Sequence, residues 1–367
     1  MAEPSKKTDN IQNAPLGGVQ DPEREGREAL PRVLASSVIR STHKGESHGG
    51  LYLVDLSTGE QKQLLSWDDP TISWEGRGAE RGLRGIAFYN DHVYLAASDE
   101  VYVFDRAFDL VDSFENPYLS HCHEIDIYED RLYLTSTQYD SVLEVDLKTH
   151  QFTRGFCFRM SPAWYAVSRF PRHLPVQSNR VCPPCRMFDP QKEGGPHSGD
   201  QLHLNSVVVD EEGMHVSGRQ TGCLVQVDLQ RIDSNGDLAV SYTPTPFGTH
   251  NVLPVRTGAF NGHVVMNDTK RDRVVVVDRD GGIVSRWPVV EYDEREIAWS
   301  GIPKDHARQA FGRGLVICGD IFIVGSSPAT VTAYSFHRRD PIASINLTMD
   351  VRNSIHGLRA LGNGCIG

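Results

Sequence analysis

RGIAFYNDHVYLAASDEVYVFDRAFDLVDSF (residues 84–114) and HEIDIYEDRLYLTSTQYDSVLEVDLKTHQFTRGF (residues 123–156) align position by position. Each opens on a basic residue, carries a second apolar run (VYLAAS, LYLTST) and ends a third on Asp (VYVFD, VLEVD). Short β-branched and aromatic runs broken by Asn, Asp and Gly read as antiparallel strands joined by tight turns. The same frame recurs in NSVVVDEEGMHVSGRQTGCLVQVDLQ from Asn205, in HNVLPVRTGAFNGHVVMNDTKRDRVVVVD from His250 with a longer first turn, and in RGLVICGDIFIVGSSPATVTAYSF from Arg313.

Repeats of roughly 40 residues, each with four strands, are the pattern of a β-propeller in which one repeat makes one blade. The sixth unit is divided between the chain ends. SSVIRST, GGLYLVDLST and EQKQLLSW supply three strands with no opening strand before them, and HGLRAL from His356 supplies an opening strand with nothing after it. Pairing these pieces closes the ring and removes its exposed edges. The expected fold is therefore all-β: a single six-bladed propeller over residues 35–361, closed by the C-terminal strand on the N-terminal blade and preceded by a disordered leader at 1–34. Two β-sandwich domains would also suit regular short strands, but they leave the divided sixth unit unexplained.

The chain has 367 residues, 39% of them hydrophobic, and a formal charge of −11. That acidity argues against a general nucleic-acid or anionic-membrane binder, because phosphate attraction needs a basic surface. An apolar run of about 20 residues, the length that spans a bilayer, is missing, and so is the apolar centre of a secretory signal. The expected location is the cytoplasm. Seven scattered cysteines do not form a secreted disulfide framework, so most are expected as free thiols.

The first strand of each blade lies innermost, so its opening residue stands near one mouth of the central channel. The six openers are Arg84, His123, Asn205, His250, Arg313 and His356, and His121 and His203 stand two positions before the openers of their blades. Three imidazoles and two guanidiniums on one axis are costly, since buried polar groups need partners. A lone histidine usually bonds a neighbouring strand; this gathering points instead to a divalent transition metal, Zn or Fe, on His123, His250 and His356, with His203 as fourth candidate. Glu124 and Asp126 on the same opening strand are placed to fix an imidazole tautomer. Arg84 and Arg313 are expected to hold the carboxylate or phosphate of a small anionic substrate, or else to pair with blade acids such as Asp91 and Asp320. Asn205 completes the expected catalytic set.

On these blades and openers the chain resembles the NHL-type and gluconolactonase-type six-bladed propellers, and its ring of channel histidines is similar to the zinc site of the peptidyl-hydroxyglycine amidating lyases. The resemblance implies a metal-dependent lyase or hydrolase. Calcium lactonases of that superfamily use Glu, Asn and Asp in the channel, and here only Asn205 stands at such a place. A ferrous oxygenase with an all-histidine site is the second expectation, and a propeller that binds without catalysis is the rival from another class, since the fold alone decides nothing.

Between the second and third of these repeats, about 45 residues (156–201) interrupt a connection that is normally short. Their aromatic residues and prolines suggest a flap over the opener mouth, with Arg172, Arg180 and Arg186 adding positive potential. Cys182 and Cys185 form a CPPC pair without the second pair of a zinc knuckle or the context of a redox motif. A local disulfide, a partial metal clip with His173 or His197, and free thiols all stay open.

Overall fold

A computed structural model describes residues 30–42, 45–68, 82–159, 184–232, 238–304, 307–362 and 364–367. Among them the chain forms six antiparallel sheets, all between residues 31 and 367. Blade 1 comprises Ile86–Tyr89, His92–Ala97, Glu100–Phe104 and Leu110–Glu115. Blade 2 comprises Ile125–Tyr128, Arg131–Ser136, Ser141–Asp146 and Gln151–Cys157, and blade 3 comprises Leu204–Asp210, Gly213–Gly218, Cys223–Ile232 and Leu238–Pro244. Blade 4 takes His250–Pro254, Val264–Asp268, Arg273–Val277 and Ile283–Pro288; blade 5 takes Arg313–Cys318, Ile321–Ser326, Thr330–Ser335 and Ala343–Asn346.

Blade 6 is the divided one. Asn353–Leu361 is its innermost strand and pairs antiparallel with Arg32–Ile39, which pairs with Gly50–Asp55, and that in turn with Gln61–Ser66. The first strand starts at Arg32, three residues before the expected boundary at 35. Inner strands of successive blades touch all round the ring. At the seam of blades 6 and 1, the Ser36 hydroxyl donates to the Arg84 carbonyl and accepts the Gly357 amide at 2.9 Å.

Alternation along each strand puts apolar side chains between neighbouring blades. Leu34, Leu51, Trp67, Leu95, Tyr102 and Phe104 fill the space between blades 6 and 1. Trp287 of blade 4 meets Phe322 of blade 5 with ring centres 4.9 Å apart. Each such large side chain contributes about 1.5–3 kcal/mol on burial, so blade contacts rather than isolated sheets hold the ring together.

Two features were not legible beforehand. A fifth strand, Arg186–Phe188, extends the outer edge of blade 2, so the described end of the insert is built into the propeller. Residues 160–183, with Arg172, His173, Arg180 and Cys182, lie outside the described residues. The second feature is Cys365–Ile366, which pairs with the inner strand of blade 5 on its channel side, joined by a Cys318–Cys365 disulfide. This pair is an exception to the expectation that most cysteines are thiols, whereas Cys122 and Cys157 are free.

Backbones pack closely at the axis. A Cβ on Gly357 would stand 2.1 Å from the Arg84 carbonyl oxygen and 2.7 Å from Ser36 Oγ, whereas one on Gly301 would meet nothing within 4 Å. Gly357→Ala is therefore expected to lower unfolding free energy by about 1–3 kcal/mol, the usual cost of overpacking, and Gly301→Ala by no more than about 0.5 kcal/mol. Urea denaturation of both variants measures this; equal midpoints would contradict the seam described here.

Candidate active site at the channel mouth

The structure brings all six openers to one mouth of the channel, and each is buried, the most exposed being His123 at 8%. Arg84 and His123 precede their strands by two residues, yet backbone bonds such as Arg84 N to Ala96 O (2.9 Å) keep them on the inner ladder. His203 joins them. The chain returning from the insert is tied to blade 2 by Gly199 N to Gln138 O (2.8 Å) and by Leu202 N to the Asp140 carboxylate (2.8 Å). A left-handed turn at His203 (φ 53°) then sets its ring 5.2 Å from that of His123. His121 has the same backbone turn (φ 55°), and its carbonyl accepts from His123 Nδ1 at 2.8 Å.

Hydrogen bonds decide which ring nitrogens carry protons. The Thr269 hydroxyl donates to Gly312 O (2.8 Å), so its oxygen accepts from His250 Nδ1–H at 3.1 Å. The Thr137 hydroxyl likewise donates to Leu204 O and accepts from His123 Nδ1–H at 2.9 Å. The Asp200 carboxylate accepts from His203 Nδ1–H at 3.0 Å. In all three rings Nε2 is left with its lone pair. His356 is the reverse: the Arg313 guanidinium donates to its Nδ1 at 3.4 Å, so Nε2 carries the proton.

These partners correct one expectation. Glu124 and Asp126 fix no imidazole; Glu124 Oε1 accepts from Asn251 Nδ2 (2.6 Å), and Asp126 accepts from Val209 N (2.8 Å) and Arg359 (3.1 Å). Nor do the openers pair with the blade acids weighed for them, since Asp91 is bound by Arg106 and Asp320 by His337. Arg84 instead donates to Cys122 O at 3.0 Å. Thr137 and Thr269 were missed, although a signal exists: each stands one residue past the second strand, in the two whole blades that open on His. The same place in blade 3 holds Arg219.

The electrostatics are one-sided. Burial, then the guanidiniums of Arg40, Arg84 and Arg219, hold Arg313 well below the usual arginine range. Burial and the neighbouring charges, Arg84 for His123 and Arg313 for His250 and His356, hold those three imidazoles neutral. Burial pushes Glu124 up to about 8 despite Arg359 and Arg313. Arg40, Arg308 and Arg313 stand 4.8, 5.2 and 4.7 Å from the Phe311 ring centre. Among the described residues, buried atoms without a partner include His250 Nε2, His356 Nε2, Arg313 Nε and Asn205 Oδ1. Burial raises the Cys122 thiol to about 12, which removes it as a nucleophile.

The imidazoles have the chemistry of metal ligands, with Nδ1–H held and Nε2 bare. Their spacing is another matter. With metal–nitrogen bonds of about 2.0–2.1 Å, imidazoles on one tetrahedral ion have ring centres roughly 5 Å apart. His123 and His203 meet this at 5.2 Å, whereas His203–His250 and His123–His356 stand at 6.4 and 6.5 Å. Among the described residues no group of three His, Cys, Asp or Glu is gathered closely enough to hold an ion. The donor set as it stands does not fit a three-ligand centre.

Neutral buried imidazoles make stability depend on pH. An unfolded imidazole takes up a proton near 6.5, and the folded rings do so only well below it. Their contribution is complete above that value and is lost as pH falls toward the folded pKa, because the unfolded chain then binds more protons. Urea midpoints are expected to drop between pH 7 and pH 5, with a shallower drop in His123→Gln, His250→Gln and His356→Gln. Unchanged slopes in all three variants would contradict neutral, buried rings.

No protein-family model matches the chain, and no curated protein matches it. Solved structures similar to it include a protein of unknown function from Bacteroides caccae (11% identity, 90% of this chain and 99% of that one, TM-score 0.49). Others are apo AztD from Citrobacter koseri (8%, 92% and 99%, TM-score 0.46) and virginiamycin B lyase from Staphylococcus aureus (10%, 82% and 80%, TM-score 0.42). At these identities and scores the likenesses assign no activity, and the architecture rests on the strand pairing of the chain itself: a six-bladed β-propeller.

Proposed function

We propose that the protein is an enzyme that binds a small anionic organic substrate at the opener mouth and moves a proton there, in a lyase or hydrolase reaction. The observation that carries this is Arg313: a guanidinium 7% exposed, with no carboxylate ion pair among the described residues, beside imidazoles whose Nε2 lone pairs are bare. A buried cation stripped of water needs an anion to offset its desolvation, and guanidinium binds carboxylate or phosphate through paired N–H groups. A neutral imidazole beside a bound anion is a general base. Its Nε2 takes a proton either from a substrate carbon, as a lyase requires, or from an attacking water, as a hydrolase requires. Asn205 Oδ1, whose amide donates to Thr249 O at 3.1 Å, offers a further acceptor to the bound molecule.

A second reading keeps a divalent transition metal, zinc or iron, on His123 and His203, whose rings stand 5.2 Å apart, with His250 as a third ligand only after its ring moves in from 6.4 Å. The held Nδ1–H groups favour it. It exchanges His356, which presents a proton, for His203.

Turnover screened over small carboxylates and phosphates, with metal analysis of untagged protein, tests both readings. His250→Gln and His123→Gln are expected to lower turnover about 10²–10⁴-fold, the range for a lost general base, while anion binding persists. Binding without turnover anywhere in the screen would make the protein a binding propeller. One equivalent of metal, lost in His123→Ala and His203→Ala but kept in His356→Ala, would establish the second reading.

A further inference from the structure

The openers divide by hydrogen-bonding sense as well as by charge. Arg84, Arg313 and His356, on blades 1, 5 and 6, are adjacent round the ring, and each presents N–H: two guanidiniums can only donate, and His356 has its proton on Nε2 because Arg313 occupies Nδ1. Arg40 follows the Arg32–Ile39 strand of the same closing blade and adds its guanidinium to that side, against Phe311. The other three openers, on blades 2, 3 and 4, present lone pairs. They are His123 Nε2, His250 Nε2 and Asn205 Oδ1, joined by His203 Nε2 from the turn before blade 3. Four of these atoms, Arg313 Nε and His356 Nε2 on the donor side and His250 Nε2 and Asn205 Oδ1 on the acceptor side, are buried without a partner.

Buried polar atoms left unpaired cost about 1–3 kcal/mol each, and a channel lined with one sense only would be met by a simple anion. This one is met by a molecule with two kinds of end. We infer that the mouth binds a small oxyanion that also bears hydroxyl groups, its anionic head on the Arg84, Arg313 and His356 arc and its hydroxyls donating to the His123, Asn205, His203 and His250 arc. Phe311 orients the head group: Arg313 and Arg40 lie against the ring, and a stacked guanidinium keeps its edge N–H groups free for an anion. Arg308 has the different role of a brace, since its own N–H groups are used on Asp272 and on Thr269 O. The hydroxyl arc also places the substrate's O–H beside the bases that would remove a proton from it.

This inference rests on the anion-binding reading above, and calorimetry on the full chain separates the two. The probes are glycerol phosphate and glycerate, each against its hydroxyl-free counterpart, ethyl phosphate and propionate, at constant ionic strength. Each hydroxylated anion is expected to bind at least tenfold more tightly than its counterpart, and the tighter of the two names the head group. Arg313→Lys is expected to weaken all four at least tenfold. Asn205→Leu is expected to weaken only the hydroxylated pair, and Phe311→Leu, at a partly exposed position, backs up Arg313→Lys should that variant fail to fold. Equal affinity for hydroxylated and plain anions, weakened by Arg313→Lys, would overturn the hydroxyl arc and leave the anion site. No binding that responds to Arg313→Lys or Phe311→Leu would overturn both.

Discussion

Backbone packs directly against backbone at the channel axis, and the site depends on it. A Cβ on Gly357 would fall on the Arg84 carbonyl, and one on Gly85 would stand 2.6 Å from the Ile125 amide nitrogen. One residue along from the openers the chain has Gly85, Gly314 and Gly357, where a Cβ would meet a neighbour within 3 Å, and Glu124, Ser206 and Asn251 in the other three blades. Ser206 Oγ and Asn251 Oδ1 accept from neighbouring backbones, at Val252 N (2.9 Å) and Gly314 N (2.8 Å). The openers above them are thereby fixed in position by the frame. A binding group placed by packed strands is more exact than one placed by a mobile loop.

That rigidity has an electrostatic consequence. Guanidiniums from blades 5, 1 and 6 are kept near one another, a repulsion that the ring's apolar blade contacts must offset. The imidazoles respond by staying neutral, which is what converts them from additional cations into bases. Charge on one arc and lone pairs on the opposite arc thus follow from a single arrangement, in which Arg313 sits between His250 and His356 in ring order and takes the Nδ1 of only the second.

The architecture was legible because blade geometry repeats, and any unit can be laid on any other. His123, His250 and Arg313 were found by register alone, and the divided blade by its missing opener. What escaped the sequence was set by contacts between repeats. His203 was named from its place two positions before an opener, but the left-handed turn that brings it to the mouth after the long insert lies outside the repeat frame. The roles of Thr137 and Thr269 follow from hydrogen bonds to Leu204 and Gly312 in the next blade. His356 read as a ligand like its sisters, and only the neighbouring Arg313 changes which of its nitrogens is bare. Arg40 and Phe311 belong to connections, which carry no repeat signal.

The central claim is that the opener mouth is a seat for an anion organised by Arg313. Anomalous diffraction from crystals soaked in bromide tests it most directly, since the halide reports where the field of the molecule holds negative charge. The account predicts the strongest bromide peak at the channel mouth, within hydrogen-bond reach of Arg313 and on the side of His356. Strong bromide peaks elsewhere with an empty mouth would contradict it.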